Sequence, residues 1–172
     1  MQEVLTAIVY ALPAYVTNGT PVVVLRVLGV GHPLDRGKAF WDGRRLLGDG
    51  KTFEGLASGV LAGLLASAAV YTFFPGTYRR FLESALLTLG AMAGDILGSF
   101  IKRRLGLERG RSAPVLDQLG FMVAALLIAW LPFGPPSWAN TTSLTALLLV
   151  TAILHVSTNI MAYFAGLKEK WY

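Results

Sequence analysis

The chain has 172 residues, 54% of them hydrophobic and 15% charged, with a formal net charge of +5 at neutral pH. A soluble domain carries roughly a quarter of its residues as charges, so this composition excludes an ordinary water-soluble globule. With no cysteine present, disulfides, thiolate nucleophiles and cysteine-ligated metals are excluded too.

Apolar runs of roughly 17–25 residues, the length that crosses a bilayer, recur along the whole chain. They predict an all-α integral membrane protein, a single membrane domain over 1–172 with five transmembrane helices at about 4–28, 53–74, 81–101, 114–133 and 143–167. The first span starts within a few residues of Met1 but has neither a basic n-region nor a small-residue cleavage site, and so reads as retained. It is also the least regular, with Pro13, Asn18, Gly19 and Pro21 inside it. Such residues survive at membrane depth where other helices or a wet cavity satisfy the freed backbone groups.

The loop that follows, 29–52, contains FWDGRRLLGDGKTFEG from Phe40 into the next span. Two Asp-Gly pairs, Asp42-Gly43 and Asp49-Gly50, mark tight turns. Gly50-Lys51-Thr52 invites comparison with a Walker A loop, but Arg45 stands where that motif needs glycine and no strand precedes it. Glycine amides beside Arg44, Arg45 and Lys51 can cradle phosphates without being a P-loop. The plainer reading is a solvated basic turn with Thr52 as the helix N-cap.

Spans two and three each carry glycines four apart: Gly55, Gly59 and Gly63, then Gly90, Gly94 and Gly98. That spacing puts each trio on one helix face, where backbones approach closely. The two faces can pack on each other, or one can serve a homodimer. Span three ends in Asp95, Ser99 and Lys102, which share a face, with Arg103 alongside. A carboxylate inside a span normally faces a cavity, a partner or an ion. A plain interfacial ion pair accounts for Asp95 as well, and Lys102 to Arg104 alone read as anchors reaching for headgroups.

Across the second basic loop, 102–113, with Arg109, Arg111 and Ser112, Asp117 opens span four in a first helical turn that favours an acid. One acid ends an inward-going span, the other starts the return span, and a cationic loop joins them. Two carboxylates among cationic donors suit Mg²⁺ with a polyphosphate. Asn18, His155 and Asn159 are the remaining polar groups at depth and fit interhelical hydrogen bonds. His32 carries no specific signal.

Lys and Arg crowd into the 26–51 segment and the second loop, with Lys168 and Lys170 in the tail, against Arg79 and Arg80 alone between spans two and three. The positive-inside rule then predicts a multi-pass protein of the cell membrane with the N-terminus outside, the C-terminus and both basic loops cytoplasmic.

Gly94-Asp95, Ser99-x-x-Lys102-Arg103, Gly106 and Leu116-Asp117-Gln118-Leu119 resemble the signature of the membrane CTP:phosphatidate cytidylyltransferases. It is shortened here, with Gln118 and Gly120 in place of the arginine and second aspartate of D-R-x-D, and Glu108-Arg109 in place of a Lys-Asp pair. The loop DGRRLLGDGKTFEG and the tail pattern of His155, Asn159, Ala162-Tyr163 and Gly166-Leu167-Lys168 make the whole chain similar to the archaeal CDP-archaeol synthases.

The resemblance implies transfer of CMP from CTP to 2,3-di-O-geranylgeranylglyceryl phosphate, an isoprenoid ether-lipid phosphate, in phospholipid biosynthesis. It implies Mg²⁺ as cofactor, the lipid bilayer as setting and no nucleic acid. Asp95 and Asp117 would be Mg²⁺ ligands and, with Lys102 and Arg103, catalytic. Arg44, Asp49, Gly50, Lys51, Thr52, Ser99 and Asn18 would contact substrate, with Asp42 and Glu54 as weaker candidates. Three rivals stay open: a different headgroup enzyme, whose D-x-x-D-G-x-x-A-R pattern is missing; a non-enzymatic transporter or assembly subunit; and the same chemistry on ester phosphatidate.

Overall fold

A computed structural model describes residues 1–108, 110–111 and 113–167. Arg109 and Ser112, named above, and the tail from Lys168 with Lys170 lie outside the described residues. Among those described, the chain forms α1 (Gln2–Leu28), α2 (Phe53–Phe73), α3 (Phe81–Arg104), α4 (Pro114–Trp130) and α5 (Thr141–Phe164), with no named strand. Four are long and apolar enough to cross a membrane; α4, equally apolar, has 17 residues. Spans four and five end earlier than expected, because the chain turns after Trp130 and again at Ala165.

The irregular first span is one continuous helix. Pro13 and Pro21 both sit inside it. Each proline withdraws an N–H from the carbonyl four residues back, and for Pro21 that carbonyl belongs to Thr17. The bundle accommodates it by placing Thr17 O against Gly59, where an added β-carbon would lie 2.8 Å away. Gly59 thus lets α2 approach the one stretch of α1 whose backbone is not fully paired.

Each glycine face packs within the chain, on a neighbour that is neither the other glycine face nor a second copy. Gly55, Gly59 and Gly63 lie against Pro21 and Thr17 of α1, with Met92 and Thr88 of α3 closing the side. Gly90, Gly94 and Gly98 lie against Ala125, Phe121 and Leu116 of α4 in turn, which makes α3 and α4 antiparallel. The trios do not meet face to face, and neither is left open as a dimer seam. A β-carbon on Gly94 would stand 2.9 Å from both Gly120 O and Phe121 Cα, backbone atoms that cannot rotate aside, whereas one on Gly98 would first meet Leu116 Cγ at 3.6 Å. Gly94→Ala therefore lowers stability by about 1–3 kcal/mol, the usual overpacking cost, and Gly98→Ala is close to neutral. Thermal unfolding of both variants in one detergent checks the contrast; equal midpoints would count against it.

At the end of the bundle away from the basic loops, a polar and aromatic knot ties four segments together. Glu83, with a side chain 1% exposed, accepts from Tyr10 OH at 3.0 Å and from Arg79 N, Nε and Nη2 at 2.9, 3.2 and 2.7 Å. Arg79 also donates to the carbonyls of Phe133 and Gly134 in the α4–α5 connection. The Tyr10 ring meets Tyr78 and Trp138 at 4.8 and 5.0 Å. α5 joins through its first half, where Leu147 and Thr151 are buried and Tyr15 OH pairs with Thr151 Oγ1 at 2.7 Å.

Candidate active site

At the opposite end, residues 29–52 fold back on themselves. Their base is closed by Leu34 N to Lys51 O (2.8 Å) and Phe53 N to His32 O (3.0 Å). Their tip is a small hairpin, with Phe40 N to Arg44 O (2.7 Å) and Leu46 N to Lys38 O (3.0 Å). Asp35, which composition and motif gave no reason to single out, organises the middle. Its buried carboxylate accepts from the amides of Gly37, Leu47 and Gly48 at 3.1, 3.0 and 2.8 Å and from Arg45 Nε and Nη2 at 3.1 and 2.6 Å. Gly48 can turn its amide inward because it takes φ of 85°, a left-handed backbone that glycine adopts freely.

The Arg45 hydrogen bonds, with the three amides, hold the Asp35 carboxyl far below the usual carboxylate range despite its burial. A depressed folded value means that its stabilisation is complete above about pH 4, the ordinary aspartate value, and is lost only as pH falls through the lowered one. Nucleotide binding measured between pH 5 and 8 should then carry no titration from Asp35. Asp35→Ala strands the buried Gly48 amide, at about 1–3 kcal/mol, and releases the part-buried amides of Gly37 and Leu47, while Arg45 keeps Asp49. Trypsin should cut that variant after Arg36, Lys38, Arg44 or Arg45 under conditions that leave the unsubstituted loop whole, and equal resistance would remove Asp35 from this role.

The base of the loop meets the helices at a small cleft. Pro21 of α1, Leu34, Gly50, Lys51 and Thr52 of the loop, Gly55 and Leu56 of α2, and Met92, Asp95 and Ile96 of α3 line it. Lys51 Nζ donates to Asp95 Oδ2 at 2.5 Å, with side chains 24% and 27% exposed, so the pair is reachable from water yet mostly enclosed. Arg103, two turns further along α3, has a buried Nε without a hydrogen-bond partner. Its guanidinium lies beside Gly48, within 3.8 Å of where a β-carbon there would be.

A second pair stands on the α4 side. Lys102 Nζ donates to Asp117 Oδ1 at 2.7 Å, and Asp117 Oδ2 accepts from Ala113 N at 2.9 Å. Asp117 therefore caps the start of α4 and neutralises Lys102 together. The seven residues from Asp95 to Lys102 rise about 10 Å along the helix, and each acid engages its own lysine. Ser99 is buried between the two pairs in sequence.

Several expected substrate contacts are already committed. Thr52 is the α2 N-cap, its Oγ1 accepting from Gly55 N at 3.1 Å. Asp49 accepts from Arg45 Nη2 at 2.9 Å, and Arg44 Nη1 donates to Arg104 O at 2.7 Å. Glu54 receives His32 N at 2.8 Å and its ring Nδ1 at 2.5 Å, so the histidine with no sequence signal pins the start of the loop to α2. Asn18 is half-buried on α1 and does not line the cleft. Lys51, Gly50 and Asp95 line one cleft, with Arg103 close to the loop, whereas Asp117 and Lys102 form a separate pair outside it.

A family model described as CarS-like, CDP-archaeol synthase, matches residues 1–172. A CDP-archaeol synthase of Methanococcus aeolicus is 42% identical, covering 98% of this chain and 97% of that protein. One from Methanopyrus kandleri is 46% identical, over 93% and 88%. A solved structure of an intramembrane enzyme for archaeal membrane lipids biosynthesis superposes with a TM-score of 0.80 at 41% identity, covering 91% of this chain and 94% of that one.

Proposed function

The chain belongs to the CDP-archaeol synthase family, and from that membership we propose how its loop end carries out the reaction. It is a membrane cytidylyltransferase that transfers CMP from CTP to an archaeal ether-lipid phosphate, releasing pyrophosphate. A lipid phosphate oxygen attacks the α-phosphorus, the new P–O bond forms, and the bond to the β-phosphate oxygen breaks with its electron pair leaving on pyrophosphate. A phosphate dianion is already a nucleophile, so no general base is needed. Attacker and leaving group are both anionic, which makes the barrier chiefly electrostatic.

The observation that carries the reading is the Lys51–Asp95 pair in a cleft, with the Arg103 guanidinium beside Gly48 of the same loop. An arginine on α3 that rests beside Gly48 and, among the described residues, has no ion pair with a carboxylate suits the triphosphate. Lys51 can exchange Asp95 for a phosphate oxygen, and Lys102 can do the same with Asp117. The donors suit Mg²⁺: it binds through one or two carboxylates plus substrate phosphates, and the Lys51 ammonium already sits where a cation meets Asp95. Among the described residues no three His, Asp or Glu cluster, so the triphosphate would complete the ligand set. Bound there, Mg²⁺ would offset charge developing on the phosphates.

The basic loops support a cell-membrane protein with this end in the cytoplasm. Supporting this further, Arg79 at the far end has its charge taken up by Glu83.

The test uses purified protein in nanodiscs with Mg²⁺ and CTP labelled at the α-phosphate, offering the geranylgeranyl ether phosphate and an ester phosphatidate separately. Label entering the ether lipid, and lost on chelation, supports the reading. Label entering phosphatidate alone would overturn the lipid assignment, and transfer that survives chelation would overturn the metal.

A further inference from the structure

Arg104, the last residue of α3, was grouped by sequence with headgroup anchors. Its side chain is instead 19% exposed, and both terminal nitrogens of its guanidinium bond to the first loop. Nη1 donates to Asp42 Oδ1 at 2.6 Å; Nη2 donates to Arg45 O at 2.5 Å and Arg44 O at 3.2 Å. The guanidinium carbon lies 4.8 Å from the Phe40 ring centroid and 5.1 Å from that of Phe100, and the two rings meet edge-on at 5.5 Å. The contact is reciprocal, because Arg44 Nη1 donates back to Arg104 O.

We propose that Arg104 is a positioning residue for nucleotide binding. It clamps the hairpin tip of the first loop to the end of α3, and so sets Gly48 to Lys51 over Asp95. This rests on the reading that CTP occupies the Lys51–Asp95 cleft. The hydrogen bonds at the base of the loop tie it to its own two ends, next to α1 and α2. Its placement on α3 at the tip comes from the Arg104 side chain and Phe100, with the Arg44 bond to the Arg104 carbonyl as a lesser tie that substitution leaves in place. The residues Arg104 holds by their carbonyls, Arg44 and Arg45, lead through two more residues to Gly48, against which Arg103 rests.

A lone exposed Arg–Asp pair would do little. What distinguishes Arg104 is the planar fork satisfying three acceptors between two aromatic faces, a task no ammonium performs. Arg104→Lys therefore keeps the charge and loses the clamp.

The experiment takes the full chain in nanodiscs as Arg104→Lys and Arg104→Ala. Without ligand, hydrogen exchange is followed at the amides of Phe40 and Leu46, whose acceptors are in the hairpin. Then KM for CTP, KM for the lipid phosphate and kcat are measured, with methylguanidinium added to the alanine variant. Expected in both variants is exchange faster by about tenfold or more and a CTP KM raised by a similar factor, the scale of a lost charge-assisted hydrogen bond. The thermal midpoint and the lipid KM should stay put, and methylguanidinium should lower the CTP KM of Arg104→Ala.

Unchanged exchange would overturn the clamp. Faster exchange with an unchanged CTP KM would overturn the positioning role. If the unsubstituted chain transfers no CMP, the cleft reading fails and takes the positioning role with it, while the exchange data still report whether the clamp exists.

Discussion

Asp95→Asn is expected to cut CMP transfer by about a hundredfold or more, the scale seen when a preorganised electrostatic group is removed from a reacting site, while leaving the bundle folded. Asparagine preserves the volume and one acceptor oxygen, and both partners of the Lys51–Asp95 pair keep about a quarter of their side-chain surface in contact with solvent. Losing the pair should therefore change stability by about 1–2 kcal/mol, between the exposed and the fully buried case. What the variant lacks is the negative charge that draws Lys51 over the cleft and offers a hard oxygen to a cation. Lys51→Met tests the other half. If the two act as one unit, the double variant is hardly slower than the worse single one. Full activity in Asp95→Asn would take this carboxylate out of the site.

The second large effect lies at the other end of the molecule and is on stability alone. Glu83→Ala leaves Tyr10 OH buried without an acceptor and Arg79 with three fewer hydrogen bonds to a carboxylate. Breaking a buried pair from one side costs about 3–5 kcal/mol, and the lower figure is appropriate because the Arg79 side chain keeps 40% exposure. Replacing both, as Arg79→Met with Glu83→Leu, should recover much of the loss, since removing two charges together strands neither. Thermal unfolding of the three variants reads this out, and CMP transfer well below each midpoint should match the unsubstituted rate. A Glu83→Ala midpoint equal to that of the parent would refute the pairing argument.

The sequence made the helices legible because span length and hydropathy need no partner to be read. It also exposed Asp95 and Lys51, since a charge in a greasy run and a lysine after two glycines stand out on their own. Asp35 and Glu83 stayed hidden for a shared physical reason: acids are ordinary in a loop and in a first helical turn, and only the folding of the chain turns the donors inward around them, the loop amides and Arg45 for Asp35, Arg79 and the distant Tyr10 for Glu83. Arg104 was misread because three consecutive basic residues look alike in sequence. Only the docking of the hairpin separates Lys102, paired with Asp117, from Arg103, resting beside Gly48, and from Arg104, bonded to the loop carbonyls. The glycine repeats announced close helix contact but not which helix, since a bare face accepts any neighbour of suitable shape.

The 17 residues of α4 rise about 25 Å, short of a hydrocarbon core of about 30 Å. A span that falls short thins the bilayer around it or pulls its flanking residues inward, at a fraction of a kcal/mol per ångström. Asp117 stands in the first turn of this helix, so that mismatch bears directly on the Lys102–Asp117 pair. Lipid chain length is thereby a physical variable of the site, alongside temperature and salt.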